Sequence, residues 1–547
     1  MTTIFRHLTR LALSLVLLTT LAAQRVCGEE IPRLEHRGDR YTLMVDGKPF
    51  FLLGAQVGNS SAWPDKLQSL WPKAAQMHIN TIEVPVYWEQ MEPSQGVFDD
   101  TLVDTVVQQA RAHSVRLVLL WFGTWKNGKM HYVPRWVKSD SQRFPRMQTR
   151  SGERIDVLSA NAPANMEADR NAFTHLMHHL KQIDGDQHTV ILVQVENECG
   201  ALGSARDFSP AAQKQFDSPV PGSLLAALKR PAGTWKAVFG ADADEYFQAW
   251  SVATYVNAIA EAGKRELALP MYVNNWLKSP RGFPIATLPG VDYPSGGPTW
   301  NMIPVWKAAA PAIDILAPDI YVPNTARYEY VMDQFRQPNN PLLIPETHGF
   351  GSFAGSQGNA RNLFLAIGAG AIGFAPFGLD SFQPERDGKP DYEQIGLAQN
   401  FELLSPMADE LARLQFEGAV QTAVEKPGLS QAELTFGDWS AQVSFPPSYS
   451  ESADTTGLSP TSALHMGRVL VARLGANEFL VAGIDARVSF RRTPPNGTGQ
   501  TEFLRVDAGT YTGTQWKPAR IWNGDETDAG LSFKAPGNIV HVALQTY

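Results

Sequence analysis

The sequence predicts an α/β protein, a closed (β/α)8 TIM barrel followed by an antiparallel β-sandwich-like domain. Three observations carry this. Eight apolar runs of strand length recur: Leu52 to Val57, Thr81 to Tyr87, Val115 to Phe122, Val190 to Val195, Met271 to Asn275, Ile313 to Tyr321, Leu342 to Glu346 and Ala371 to Phe377. Continuous runs suit parallel strands covered on both faces. Helical stretches fall between them: Asp100 to His113 places Leu102, Val103, Val106, Val107 and Ala110 on one face, with similar spacing at Ala168 to Ile183 and Asp244 to Ala262. Beyond a last barrel helix at Tyr392 to Leu414 the grain changes. Ala432 to Phe445, Arg468 to Val481, Ala486 to Arg492 and Thr501 to Val506 alternate apolar and polar residues between Gly, Pro, Asn and Asp.

Taken in order, residues 1–28 read as an export signal: Arg6 and Arg10, the apolar run Leu11 to Leu21, then Ala22 and Ala23. Cleavage fits after Ala22, Ala23 or Gly28, and the run is too short to span a bilayer as a helix. The expected location is periplasmic or secreted. Gln24-Arg25-Val26 before Cys27 is a poor lipobox, which argues against a lipid anchor. Residues 29–418 form the barrel with an N-terminal hairpin, in which Asp46-Gly47 turns between Tyr41 to Val45 and Pro49 to Leu53. A Pro-, Ser- and Gly-rich insert, residues 201–241, is expected to overhang the catalytic face. Residues 419–547 form the β-rich domain, which either binds carbohydrate or buttresses the barrel.

Composition bounds the function. Across 547 residues the chain is 44% hydrophobic and 19% charged, which is globular, and its net charge of −8 is spread without basic runs. Nucleic acid and anionic membranes are unsuited partners. Two cysteines, Cys27 and Cys199, give no disulfide framework, so apolar cores carry stability.

The candidate chemistry sits at strand ends. Val190 to Val195 runs into Glu196-Asn197-Glu198, and Pro341-Leu342-Leu343-Ile344-Pro345 runs into Glu346. The C-terminal ends of barrel strands open onto active sites. A helix N-terminus that favours acidic residues is the other reading of the first run.

Gln194 to Gly200 resembles the Q-V-E-N-E-Y-G signature of glycoside hydrolase family 35, the β-galactosidases, with Cys199 in place of the Tyr. The resemblance implies that Glu198 is the general acid/base, that Asn197 contacts a sugar hydroxyl, and that Glu346, ending the seventh strand, is the nucleophile. A retaining mechanism sets such carboxyls about 5–5.5 Å apart. Glu346 must be ionised, whereas Glu198 must hold its proton near neutral pH, which calls for a less polar setting and a carboxylate neighbour.

Other strand ends supply candidate substrate contacts. The stretch Glu83 to Pro93, with Tyr87 and Glu92, is similar in part to the family's second strand. The run Leu119-Leu120-Trp121-Phe122-Gly123 departs from its Ala-Glu-Trp, while Tyr132 to Trp136 is similar to its Pro-x-Trp. Asn275 and Trp276 close the fifth strand. Tyr321, after the sixth, either hydrogen-bonds the nucleophile or is a rim aromatic. Trp121, Trp125 and Trp276 are either stacking platforms or core.

His175, His178 and His179 share helical spacing, but Leu176 stands where a zinc protease motif needs Glu, so a solvated face is expected. Gly368 to Gly373 matches G-x-G-x-x-G in the wrong context, before a strand. No cofactor and no metal is expected. The partner expected is an oligosaccharide, and the sequence assigns no oligomeric state. The expected activity is that of a retaining exo-β-galactosidase removing terminal β-linked galactose from plant-derived oligosaccharides, with xyloglucan side chains as the preferred source. The alternatives are another barrel glycosidase, cutting internal β-glucan or mannan linkages, and a noncatalytic carbohydrate-binding barrel.

Overall fold

The computed structural model describes residues 30–279, 287–322, 324–350, 358–426, 428–445, 466–492 and 500–547. The export signal and Cys27 lie outside the described residues. Eight parallel strands close a barrel in chain order: Leu52–Gln56, Thr81–Tyr87, Arg116–Phe122, Val190–Val195, Met271–Asn275, Ile315–Ile320, Ile344–Thr347 and Gly373–Pro376, the last pairing with the first. Each coincides with one of the eight apolar runs. Val190–Val195 is buried at every position, because helices cover its outer face and side chains fill the barrel within.

Helix Thr101–Ala112 buries the five residues the periodicity assigned to its apolar face. Helix Pro163–Asp184 starts earlier than expected, because Pro163 occupies the first turn, where its missing N–H costs nothing. The expected single helix Tyr392 to Leu414 is two, Tyr392–Leu404 and Ala408–Glu417, separated by a 3-10 turn at Ser405–Met407. Pro406 breaks it, since it cannot supply the N–H a continuous helix would need. No described helix is long and apolar enough to cross a membrane.

The hairpin forms as read, with Asp46 and Gly47 at φ 51° and 74°, both in the left-handed region that a type I′ turn requires. A further strand, Arg33–Arg37, joins its edge.

The insert does not overhang the catalytic cavity. Its short helices Pro210–Phe216, Gly222–Leu228 and Trp235–Phe239 pack on the barrel's flank. There the buried Arg206 pairs with Asp244 at 2.8 Å between the rings of Phe208 and Phe216.

Past the barrel lie a six-stranded and a four-stranded antiparallel sheet. Alternation in two paired strands of the larger sheet, Arg468–Arg473 and Glu478–Ile484, decides what each face covers. Val469, Val471, Phe479 and Val481 pack toward the smaller sheet with Trp439 and Phe533. Leu470, Ala472, Leu480, Ala482 and Ile484 join the barrel's own core. The buried Arg468 guanidinium donates to the Gly396 carbonyl at 2.8 Å, tying the sheet to helix Tyr392–Leu404.

Candidate active site

Glu198 leaves the fourth strand through a bend in which Glu196 and Glu198 hold φ of 67° and 46°. Non-glycine residues pay for such backbone only where surrounding contacts fix it. Here the Glu198 N–H donates to Asn274 Oδ1 at 3.0 Å, and Asn274 Nδ2 donates to Asp319 Oδ2 at 2.9 Å. Asp319 stands in register beside Glu346 on the neighbouring strand. One oxygen each of Glu198, Asp319 and Glu346 lies within 4.8 Å of the others. The three line a cavity of about 530 Å³, the size of a small-molecule site. The Tyr321 hydroxyl donates to Glu346 Oε1 at 2.7 Å, while Glu346 Oε2 is buried without a protein partner.

The electrostatics separate the acids. Burial, then repulsion from Glu346, pushes the Glu198 carboxyl up to about 7, with Lys126 opposing. Burial, then Glu346 and Glu198, holds Asp319 well above the usual carboxylate range. Burial, then Glu346, raises the Tyr321 hydroxyl, which stays a donor. A metal would need these carboxyls deprotonated. The Lys126 ammonium, a cation of the chain itself, shares the wall with these three carboxyls.

Of the residues singled out in the sequence, Glu198, Glu346, Trp276 and Tyr321 line this cavity. Asn197 is buried beside it, accepting from Lys126 Nζ at 2.8 Å through Oδ1 and leaving Nδ2 without a partner. Three further expected substrate contacts lie off this cavity's wall. The Trp121 indole is fully buried and donates to Asp169 Oδ1 at 2.8 Å, toward the helix layer. Tyr87 is buried between Trp63 and Tyr132, ring centroids 6.0 and 5.2 Å away, and its hydroxyl accepts from Ala62 N–H. Asn275 is buried, with its amide turned to the Trp276 carbonyl. Trp125 is core as well, packed edge-on to Tyr255.

Sequence reading missed Lys126, Asn59, Arg327 and His348 on the wall and gave Asp319 no role. Both His348 ring nitrogens are buried without partners, and the ring meets Tyr321 edge-on at 5.0 Å. Its position two residues past a strand-end Glu was the available signal. The helix histidines are carboxylate-paired, His175 with Asp100, His179 with Asp104 and His178 with Glu266. Gly368 to Gly373 runs from a helix C-terminus into a strand and offers no phosphate cradle.

Residues 58–262 match the family model described as β-galactosidase, glycoside hydrolase family 42, and residues 397–534 match one described as a domain of unknown function. A β-galactosidase of Xanthomonas manihotis is 28% identical over 200 residues, which is 35% of this chain and 30% of that protein. This chain thus matches under a third of that relative's length. Two β-galactosidases are among the solved structures that align with it. The β-galactosidase from Bacillus circulans sp. alkalophilus is 12% identical with a TM-score of 0.46, over 66% of this chain and 57% of its own. That from the psychrophilic Marinomonas ef1 is 13% identical with a TM-score of 0.47, over 66% and 62%. The family indicated is 42, in place of the 35 that the Gln194 to Gly200 run resembles. The region that matches the β-galactosidase model carries Glu198.

Proposed function

We propose that this chain is a retaining exo-β-galactosidase in which Glu346 is the nucleophile and Glu198 the general acid/base. The observation that carries the reading is the contrast between two carboxyls of one cavity. One is held to about 7, and the other accepts from a half-buried tyrosine with its second oxygen free. Glu346 Oε2 attacks the anomeric carbon while Glu198 gives its proton to the departing glycosidic oxygen. Esterification removes the Glu346 charge that raises Glu198, so Glu198 becomes the stronger acid and, once ionised, the base for water. Asn197 Nδ2, the Lys126 ammonium and the Trp276 ring are available to hydroxyls and an apolar face of one sugar.

A pocket favours exo action over a groove. Of the three tryptophans that could have lined a groove, Trp121 and Trp125 are core and only Trp276 reaches the cavity. Galactose follows from the family likeness, and terminal galactose on plant-derived oligosaccharides such as xyloglucan side chains is the substrate we put first. The protein acts after export, with residues 419–547 buttressing the barrel. The test is a panel of chromogenic β-galactoside, β-glucoside and β-mannoside, followed by galactosylated xyloglucan oligosaccharides. Preference for the galactoside supports the reading. A faster glucoside or mannoside sinks the specificity, and silence on all three indicates a binding protein.

A further inference from the structure

We propose that Asp169 and Glu196 form one proton-sharing pair that positions Lys126 and Asn127 on the wall of the active-site cavity. That these two residues serve sugar binding rests on the function proposed above; the pair itself does not. Asp169 lies on helix Pro163–Asp184 and Glu196 at the exit of the fourth strand, and both are fully buried. Among the described residues neither forms an ion pair with a cation. Their oxygens clasp one segment of chain. The Thr124 N–H is shared between Asp169 Oδ2 at 3.0 Å and Glu196 Oε1 at 3.2 Å, and the Trp125 N–H donates to Glu196 Oε2 at 2.7 Å. The shared N–H brings the two carboxyls side by side.

The groups facing the pair are neutral. Tyr255, from helix Ala243–Glu266, reaches it through Thr124 Oγ1 at 2.7 Å; the Cys199 thiol and the Trp121 indole complete the surroundings. Burial holds both the tyrosine hydroxyl and the thiol protonated. Two adjacent carboxylates without a cation cost far more than one carboxylate accepting from one acid, so the pair keeps a proton. Burial, then Asp169, raises Glu196 in the same sense. Gly123 makes the approach possible, since a Cβ there would fall 2.8 Å from both Asp169 Oδ1 and Glu196 Oε1.

What the clasp holds is the turn that follows. Lys126 and Asn127 line the cavity, and Lys126 donates to Asn197 Oδ1 beside it. The Gly128 N–H returns to the Glu198 carbonyl at 3.0 Å. The turn therefore sits where the pair puts it, and losing the shared proton would set two anions against each other beneath it.

Glu196→Gln supplies the shared hydrogen permanently, since its amide nitrogen can take the Oε1 place while the Trp125 N–H keeps Oε2 and the Thr124 N–H keeps Asp169 Oδ2. Glu196→Gln is therefore expected to bind galactose at pH 6 within about threefold of wild type, whereas Asp169→Ala weakens binding by about tenfold or more. In a Lys126→Met background Asp169→Ala should add little, because both act through the same ammonium. The second readout needs no sugar. A raised folded-state carboxyl loses stability as pH climbs above its unfolded value, so the Tm of Glu196→Gln should rise relative to wild type between pH 5 and pH 8. The third is the rate at which an amine reagent acylates Lys126, mapped by mass spectrometry, expected to change in Asp169→Ala and not in Glu196→Gln. Glu196→Gln as damaging as Asp169→Ala, a flat Tm difference, or full additivity with Lys126→Met would overturn the proposal. Should wild type bind no galactose, the functional reading fails, while the Tm and acylation arms still decide on the pair.

Discussion

A carboxyl at about 7 fixes the shape of a pH profile. If Glu198 delivers the proton to the leaving oxygen, kcat/KM must follow its protonated fraction, about nine-tenths at pH 6, half at pH 7 and one-tenth at pH 8. For a substrate with a poor leaving group, such as an alkyl β-galactoside, the rate should fall about fivefold from pH 7 to pH 8 and close to tenfold over the next unit. The perturbation is Glu198→Ala. General acid catalysis contributes about 10²–10⁴-fold, so the alkyl substrate should lose that much. A dinitrophenyl galactoside, whose leaving group needs no proton, should keep most of its glycosylation rate. The assay is kcat/KM between pH 5 and pH 9 for both substrates and both proteins. The alkaline limb should vanish in the variant with the dinitrophenyl substrate. An unchanged limb near pH 7 in Glu198→Ala, or equal losses on the two substrates, would refute the assignment.

The same group is linked to stability. Folding holds Glu198 above its ordinary value of 4.5, so wild type loses stability as pH rises from there to about 7, by about 3 kcal/mol in all. Glu198→Gln should thus match wild type in Tm at pH 4 and exceed it at pH 8, as a calorimetric series would show. Tyr321→Phe removes a 2.7 Å donor from a buried carboxylate, worth about 1.5–3 kcal/mol, and should lower kcat about 10–100-fold and lower Tm as well. Trp276→Ala should raise KM by about three- to tenfold through lost stacking. Tyr87→Phe, despite its strand-end position, should leave KM unchanged, because its hydroxyl meets only Ala62.

What was legible in the sequence follows from what strands and loops record. The eight barrel strands could be read because burial on both faces forces unbroken apolar runs, and Glu198 and Glu346 because each interrupts such a run at its end. Trp121 was misread because its strand alternates, and the tryptophan falls on the helix-facing side, against Asp169 and Phe173. Tyr87 lies on a strand end too, but its neighbours Trp63 and Tyr132 come from loops the strand pattern cannot place. Lys126 was invisible for the same reason, and His348 offered only its closeness to a strand-end Glu. Loop residues carry no periodicity, and only folding brings Lys126 to Asn197 and His348 to Tyr321. The insert misled through its length alone, since its composition could not tell a lid from a flank packed around Arg206.

The central claim is that Glu346 becomes covalently bonded to the sugar. Incubation with a 2-deoxy-2-fluoro-β-galactosyl dinitrophenyl ether, followed by peptide mass spectrometry, reads this directly, because the fluorine slows hydrolysis of the glycosyl-enzyme. The expected result is burst release of one dinitrophenolate per chain and a fluorogalactosyl adduct on Glu346. An adduct on Glu198 or Asp319, or turnover with inverted anomeric configuration and no adduct, would contradict it.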